Sequence, residues 1–158
     1  MDNSMKQIDY RLAARGLSKS CESVLRLLPK WFGLEESLME YLEQIENLDT
    51  YTAWYKEDLV GFFSIKHHFE QSADLYVLGI KPDFHGQGIG SHLYQLIETD
   101  LQKKGIKFVQ VKTLSPKGNN AEYLLTLKFY KKMGFVPLED FPDIWGEDNP
   151  CLQMIKHI

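Results

Sequence analysis

The chain has 158 residues, 44% of them hydrophobic and 13% aromatic, a length and composition that exclude a disordered or low-complexity chain and fit one domain. Its 22 acidic and 18 basic residues leave a net charge of −4, the reverse of the basic excess that duplex binding needs, so no nucleic-acid partner is expected. A domain of this size buries about 70% of its unfolded surface and needs neither disulfide nor metal to fold.

The opening MDNSMKQIDY is polar and lacks an apolar leader core, so no secretory signal is expected. Gln7–Ala14 reads as a first strand. Ser18 then stands where a cap would start a helix carrying Cys21, Val24, Leu25 and Leu28 at helical spacing, punctuated by Pro29 and Gly33. A second helix spans Glu35–Leu48, with Leu38, Tyr41, Leu42, Ile45 and Leu48 on one face and Glu35 and Glu36 at its positive end. Three strands follow, Thr50–Tyr55, Leu59–Phe69 and Asp74–Ile80, joined by hairpin connections. Both alternating sets of the third are mostly apolar, which places it centrally in a sheet.

Pro82 ends that strand. The turn His85-Gly86-Gln87-Gly88-Ile89-Gly90 opens a helix striped by Ile89, Leu93, Leu96, Ile97 and Leu101 and stopped by Gly105. Phe108–Thr113 is a further buried strand, and a helix Glu122–Met133 ends at Gly134. Two short strands, Phe135–Leu138 and Cys151–His157, close the chain. The order is β-α-α-β-β-β-α-β-α-β-β, an α/β (α+β) arrangement. The longest apolar runs, Leu75–Ile80 and Leu59–Phe63, fall far short of the ~20 residues of a membrane helix. Cys21 and Cys151 form no disulfide framework, and a reduced, cytoplasmic protein is the expectation.

The junction Ile80–Leu93 carries the strongest chemical signal. A buried strand halts at proline, glycines follow, and a helix begins; backbone N–H groups can then converge on an anion at the helix N-terminus. The dinucleotide fingerprint G-x-G-x-x-G fails, because from Gly86 its last place is Ser91 and from Gly88 it is Leu93. The G-K-[ST] of a Walker-type loop is absent. What remains is a pyrophosphate cradle or a turn that binds nothing.

Further along, the helix reads Tyr123-Leu-Leu-Thr126-Leu-Lys-Phe129-Tyr130-Lys-Lys-Met-Gly134-Phe135. The glycine turn, a strand, and a helix ending F-Y-x-x-x-G-F together resemble the GNAT superfamily of acetyl-CoA-dependent N-acetyltransferases. His85–Gly90 fits that family's [QR]-x-x-G-x-[GA] signature except at its first position, and the tail Phe135–Lys156 is similar to one branch of it. The resemblance covers nearly the whole chain as one domain, residues 1–158. It implies a mixed, mostly antiparallel sheet of six to seven strands with about four helices, the fourth and fifth strands splayed.

By the same resemblance, backbone groups of Leu78, Gly79 and Ile80 pair with the pantetheine arm and one N–H there steadies the oxyanion. Backbone amides of Gly86, Gln87, Gly88, Ile89, Gly90 and Ser91 hold the pyrophosphate, and Tyr123 and Thr126 join the cofactor site. His85, in place of Arg or Gln, is either a phosphate donor or a surface turn residue. Tyr130 matches the tyrosine that protonates the departing thiolate: a phenol, with an ordinary pKa of about 10, keeps its proton at neutral pH. The alternative is a packed helix aromatic. Tyr123, Thr126 and Tyr130 make a polar-tipped stripe on this helix, with Leu125, Phe129 and Met133 as its apolar face.

An amine acceptor needs a base, and the candidates near the central strands are Asp74, His67, His68 and Glu70. Asp74 matches a glutamate that serves as base in some members; otherwise it is a solvent-facing strand end. His67 and His68, adjacent on a strand, face opposite sides and cannot chelate together, so no metal is expected. Glu36, Glu40 and Glu43 either attract a cationic amine or form a solvated face. Trp31, Phe32 and Trp145 either wall the acceptor groove or pack internally. The expected activity is acetyl transfer from acetyl-CoA to a small-molecule or peptide primary amine by direct attack in a ternary complex. A non-catalytic acyl-CoA-binding sensor or interaction module is the rival. A homodimer is possible in this family.

Overall fold

The structure is a computed structural model that describes residues 7–118 and 120–158. The polar opening segment before Gln7 therefore lies outside the described residues. The elements are β1 (Ile8–Ala14), α1 (Ser18–Leu25), α2 (Glu35–Ile45), β2 (Asp49–Tyr55), β3 (Asp58–Lys66), β4 (Ser72–Ile80), α3 (Ile89–Lys103), β5 (Phe108–Leu114), α4 (Ala121–Lys132), β6 (Val136–Phe141) and β7 (Cys151–His157). The strands form one seven-stranded sheet in the order β1-β2-β3-β4-β5-β7-β6. β1 pairs β2, β5 pairs β7 and β6 pairs β7 in antiparallel fashion, while β4 and β5 are parallel. That parallel ladder has three rungs, Ser72↔Phe108, Ala73↔Val109 and Asp74↔Gln110, and ends there. Among the described residues no helix is long and apolar enough to cross a membrane.

The chain divides into two compact units. One runs to Ser64 and adds Val77–Ile97; the other comprises Ile65–Tyr76 and Glu98–Ile158. In the first, α1 buries Cys21, Val24 and Leu25, and α2 buries Leu38, Leu42 and Ile45. Ser18 does not cap α1, contrary to the sequence reading. Its hydroxyl donates to the Leu42 carbonyl at 2.6 Å, and its amide N–H is accepted at 3.3 Å by the Glu46 carboxylate. A carboxylate at the positive end of α1 does the work of a cap side chain.

Gly79 shows why β4 carries a glycine. A Cβ there would meet Leu28 at 3.0 Å, Val24 at 3.3 Å and Leu25 at 3.4 Å. Gly79→Val is therefore expected to destabilise by about 1–3 kcal/mol through overpacking. That lowers the thermal midpoint by roughly 3–10 °C in a chain of this size; calorimetric melting checks it, and an unchanged midpoint would mean α1 moves away freely.

In the second unit, two helix stops explain much of the sequence pattern. At the end of α3, Gly105 adopts φ +84° while Ile106 N–H donates to Leu101 and Gly105 N–H to Gln102. At the end of α4, Gly134 adopts φ +99°, Phe135 N–H donates to Tyr130 and Gly134 N–H to Lys131. Both are Schellman stops, each followed by a buried residue, Ile106 or Phe135. The Gly-Phe half of the F-Y-x-x-x-G-F pattern is thus helix-termination chemistry. α4 begins at Asn120, whose side chain accepts from Glu122 N–H at 3.1 Å and Tyr123 N–H at 3.2 Å, a cap worth about 1 kcal/mol. Lys156 of β7 meets Glu98 of α3 at 2.6 Å.

Candidate active site

β4 presents two unlike faces. Ala73, Leu75, Val77 and Gly79 are all buried, whereas Ser72, Tyr76, Leu78 and Ile80 are half-buried on the other face with Asp74. The strand is therefore central, as its apolar pattern predicts, yet one side is partly open. After it, Lys81 N–H donates to the Val60 carbonyl at 2.8 Å, and Pro82–Phe84 make one 3-10 turn. Gly86 and Gly88 then adopt φ +73° and +79°, and nothing lies within 4 Å of where either Cβ would be. The chain enters α3 at Ile89, so the first-turn amides, which lack intrahelical partners by construction, lie next to this open, left-handed turn.

The side chains of this turn are engaged with the turn itself. Gln87 donates to the Asp83 carbonyl at 3.0 Å. His85 places Nε2 2.6 Å from the Ile80 carbonyl, with Trp31 edge-on at 6.3 Å. A carbonyl only accepts, so Nε2 carries the proton. That nitrogen ties the end of β4 to the glycine turn and is already committed to the backbone. His92, in the first turn of α3, stacks on Tyr10 of β1 at 4.3 Å, and burial raises the Tyr10 pKa. Trp31 and His92 were not assigned these partners from sequence, since nothing local signals a contact across so many residues.

On α4 the apolar face is only partly enclosed, with Phe129 and Met133 half-buried. Leu125 is 65% exposed, whereas Leu127 and Tyr130 are the buried positions and Tyr123 and Thr126 are half-buried. The most enclosed positions of the helix are thus Leu127 and Tyr130. Leu125, read as part of the apolar face, is exposed. Thr126 donates back to the Glu122 carbonyl at 3.4 Å, a weak local bond. The Tyr130 ring packs against Phe129 at 5.6 Å and Phe135 at 6.0 Å.

β3 ends at Lys66, not at Phe69, so His67 and His68 lie in the connection to β4 and strand alternation does not govern them. His68 Nε2 lies 2.9 Å from Asp74 Oδ2, and Asp74 is 5% exposed. The strand-end carboxylate is enclosed and does not face solvent. Sequence named both residues separately; a hairpin centred on Gln71, three positions from each, is the signal that would have joined them. Among the described residues no group of three His, Cys, Asp or Glu comes together as a metal site.

An open groove of roughly 1040 Å³ lies along α1 and α2, lined by Glu22, Glu35, Glu36, Glu40, Glu43 and Glu46 among others. Glu22 and Glu35 both bind Arg26, at 2.7 and 2.9 Å, and Glu35 is held below the usual carboxylate range by that guanidinium. Glu36, Glu40 and Glu43 are exposed. Phe32 packs edge-on to Tyr41, and Trp145 is 39% exposed. Cys21 and Cys151 are free and buried, and burial pushes their thiols up to about 12 and about 11, which suppresses thiolate chemistry.

Residues 21–135 match the acetyltransferase (GNAT) family. The chain belongs to it. An uncharacterized N-acetyltransferase of Chlorobaculum tepidum is 28% identical over 121 residues, 75% of this chain and 70% of that protein. A GNAT acetyltransferase structure from Desulfovibrio desulfuricans superposes with a TM-score of 0.79 at 15% identity, covering 96% of this chain and 99% of that one. An aminoglycoside 6'-N-acetyltransferase solved with coenzyme A gives 0.75 at 21% identity, covering 94% and 96%. The mixed sheet with parallel β4 and β5 and four helices is the GNAT fold that the sequence resemblance implied, and the protein is an acyltransferase of this family.

Proposed function

We propose that this GNAT chain, acting as a single domain, moves an acetyl group from acetyl-CoA to a primary amine by direct attack in a ternary complex. The observation that carries the reading is the turn at Gly86–Gly90: two left-handed glycines, open space over both Cβ positions, and α3 starting at once behind them. That geometry fits a pyrophosphate, whose oxygens need close backbone approach and N–H donors rather than basic side chains. The coenzyme-A complex of the similar aminoglycoside acetyltransferase supports the choice of ligand.

Acetyl-CoA supplies the activated thioester. Amides of Gly86, Gln87, Gly88, Ile89, Gly90 and Ser91 hold the pyrophosphate. Backbone groups of Leu78, Gly79 and Ile80 bind the pantetheine amides as an added strand, and one N–H there polarises the carbonyl. Tyr123 and Thr126 line the cofactor site from α4. His85 acts through the backbone: it fixes Ile80 against the turn and leaves phosphate binding to the amides. Tyr130 gives the sulfur its proton. Asp74 serves the removal of the acceptor's proton. Isothermal calorimetry with acetyl-CoA and CoA tests this reading. Expected is one site per chain for which the two compete; absence of heat with both would refute it.

A further inference from the structure

Asp74 is not in a position to be the base unaided. Its side chain is 7% exposed, and one carboxylate oxygen is held by His68, whose own side chain is 39% exposed. Asp74 sits on the last rung of the β4–β5 ladder, Asp74↔Gln110, and His68 in the connection that leads into β4. Its frame is fixed: Ser72 N–H donates to Phe69, while the Gln71 carbonyl accepts from Lys107 at 2.8 Å and Phe108 at 3.2 Å. The connection that carries His68 is thereby fastened to the start of β5.

We propose that His68, oriented by Asp74, is the base that takes the proton from the acceptor ammonium; this rests on the acetyl-transfer reading above. A carboxylate only accepts hydrogen bonds, so in the neutral ring Nε2 carries the hydrogen and donates it to Asp74 Oδ2. Nδ1 keeps its lone pair, and among the described residues the His68 ring makes no other hydrogen bond. The His68 side chain is also the more accessible of the two to an incoming ammonium, 39% exposed against 7% for Asp74. Asp74 is then a positioning residue: it sets the tautomer and stabilises the imidazolium that forms, the division of labour of a His–Asp pair.

The protons balance as follows. The ammonium gives one proton to Nδ1 of His68, which passes it to solvent. The freed nitrogen lone pair forms the N–C bond as the C–S bond breaks. The sulfur receives a proton from Tyr130, and the second proton lost by the nitrogen restores the phenol.

The test uses the full chain with acetyl-CoA, a polyamine, an aminoglycoside and a lysine peptide as protonated acceptors, and hydroxylamine as a nucleophile already neutral at pH 7. His68→Gln keeps a donor toward Asp74 but has no basic lone pair. Its kcat/KM should fall about 100-fold with the best protonated acceptor and less than about threefold with hydroxylamine, the signature of a lost base. Equal losses for both nucleophiles, or no loss, would overturn the proposal. A second readout needs no acceptor: nitrogen-15 spectra should show the Nε2–H tautomer of His68 in the wild type and a mixture of tautomers in Asp74→Ala. A ring protonated on Nδ1 would overturn the proposal even if acetyl-CoA binds. A wild type that binds no acetyl-CoA fails the acetyl-transfer reading itself.

Discussion

Replacing Gly86 and Gly88 together with valine is expected to abolish useful coenzyme A binding in a protein that still folds. Both positions have φ near +75°, at +73° and +79°, and an L-residue held there costs about 1–2 kcal/mol. Nothing lies within 4 Å of either Cβ position, so the free protein meets no clash. The combined cost, about 2–4 kcal/mol, is below the 5–15 kcal/mol of a typical domain. The affinity suffers more. Either the strained peptides rotate and re-aim the N–H groups, or the isopropyl groups fill the space that a pyrophosphate needs. A loss of at least about 100-fold, or ~2.7 kcal/mol, should appear in calorimetry. Circular dichroism should confirm the fold. Unchanged affinity would move the phosphate site elsewhere.

Tyr130→Phe should lower acetyl transfer by about 100-fold while changing cofactor affinity less than about threefold. The phenyl ring retains the contacts with Phe129 and Phe135, and Tyr130 is only 4% exposed, so the substitution removes one oxygen and little packing. Turnover that survives unchanged would strip Tyr130 of its acid role. A wild type that binds acetyl-CoA tightly yet acetylates no amine would instead favour a binding module. Double substitution with His68→Gln then shows whether the two act in one chemical step, since residues working as a unit give losses far from additive.

The legible parts of this fold are those written in local spacing. The Ile89–Leu101 stripe, the glycine stops at Gly105 and Gly134, and the apolar run of β4 each specify an element through its own residues. The illegible parts depend on contacts between distant segments. Glu46 caps a helix that begins 28 residues earlier, and no spacing rule anticipates it. His85 stands in the first place of a phosphate signature that calls for Gln or Arg, and its ring lies against the carbonyl of Ile80 because β4 ends within reach. Leu125 is assigned to the apolar face because periodicity gives a helix's stripes but not how deeply each position is covered; the low amphipathic contrast of Ala121–Lys132 left that to tertiary packing.

Three rungs are all that join β4 to β5. Among the described residues no β4–β5 rung continues past Asp74, and unpaired strand backbone invites pairing with foreign chains. On the proposed reading, a coenzyme that pairs with Leu78–Ile80 would also guard that backbone against self-association. At a hundredfold excess over its dissociation constant it contributes about 2.7 kcal/mol to stability. Preparations stripped of coenzyme should then be the ones that precipitate on storage, and resupplying it should restore their shelf life.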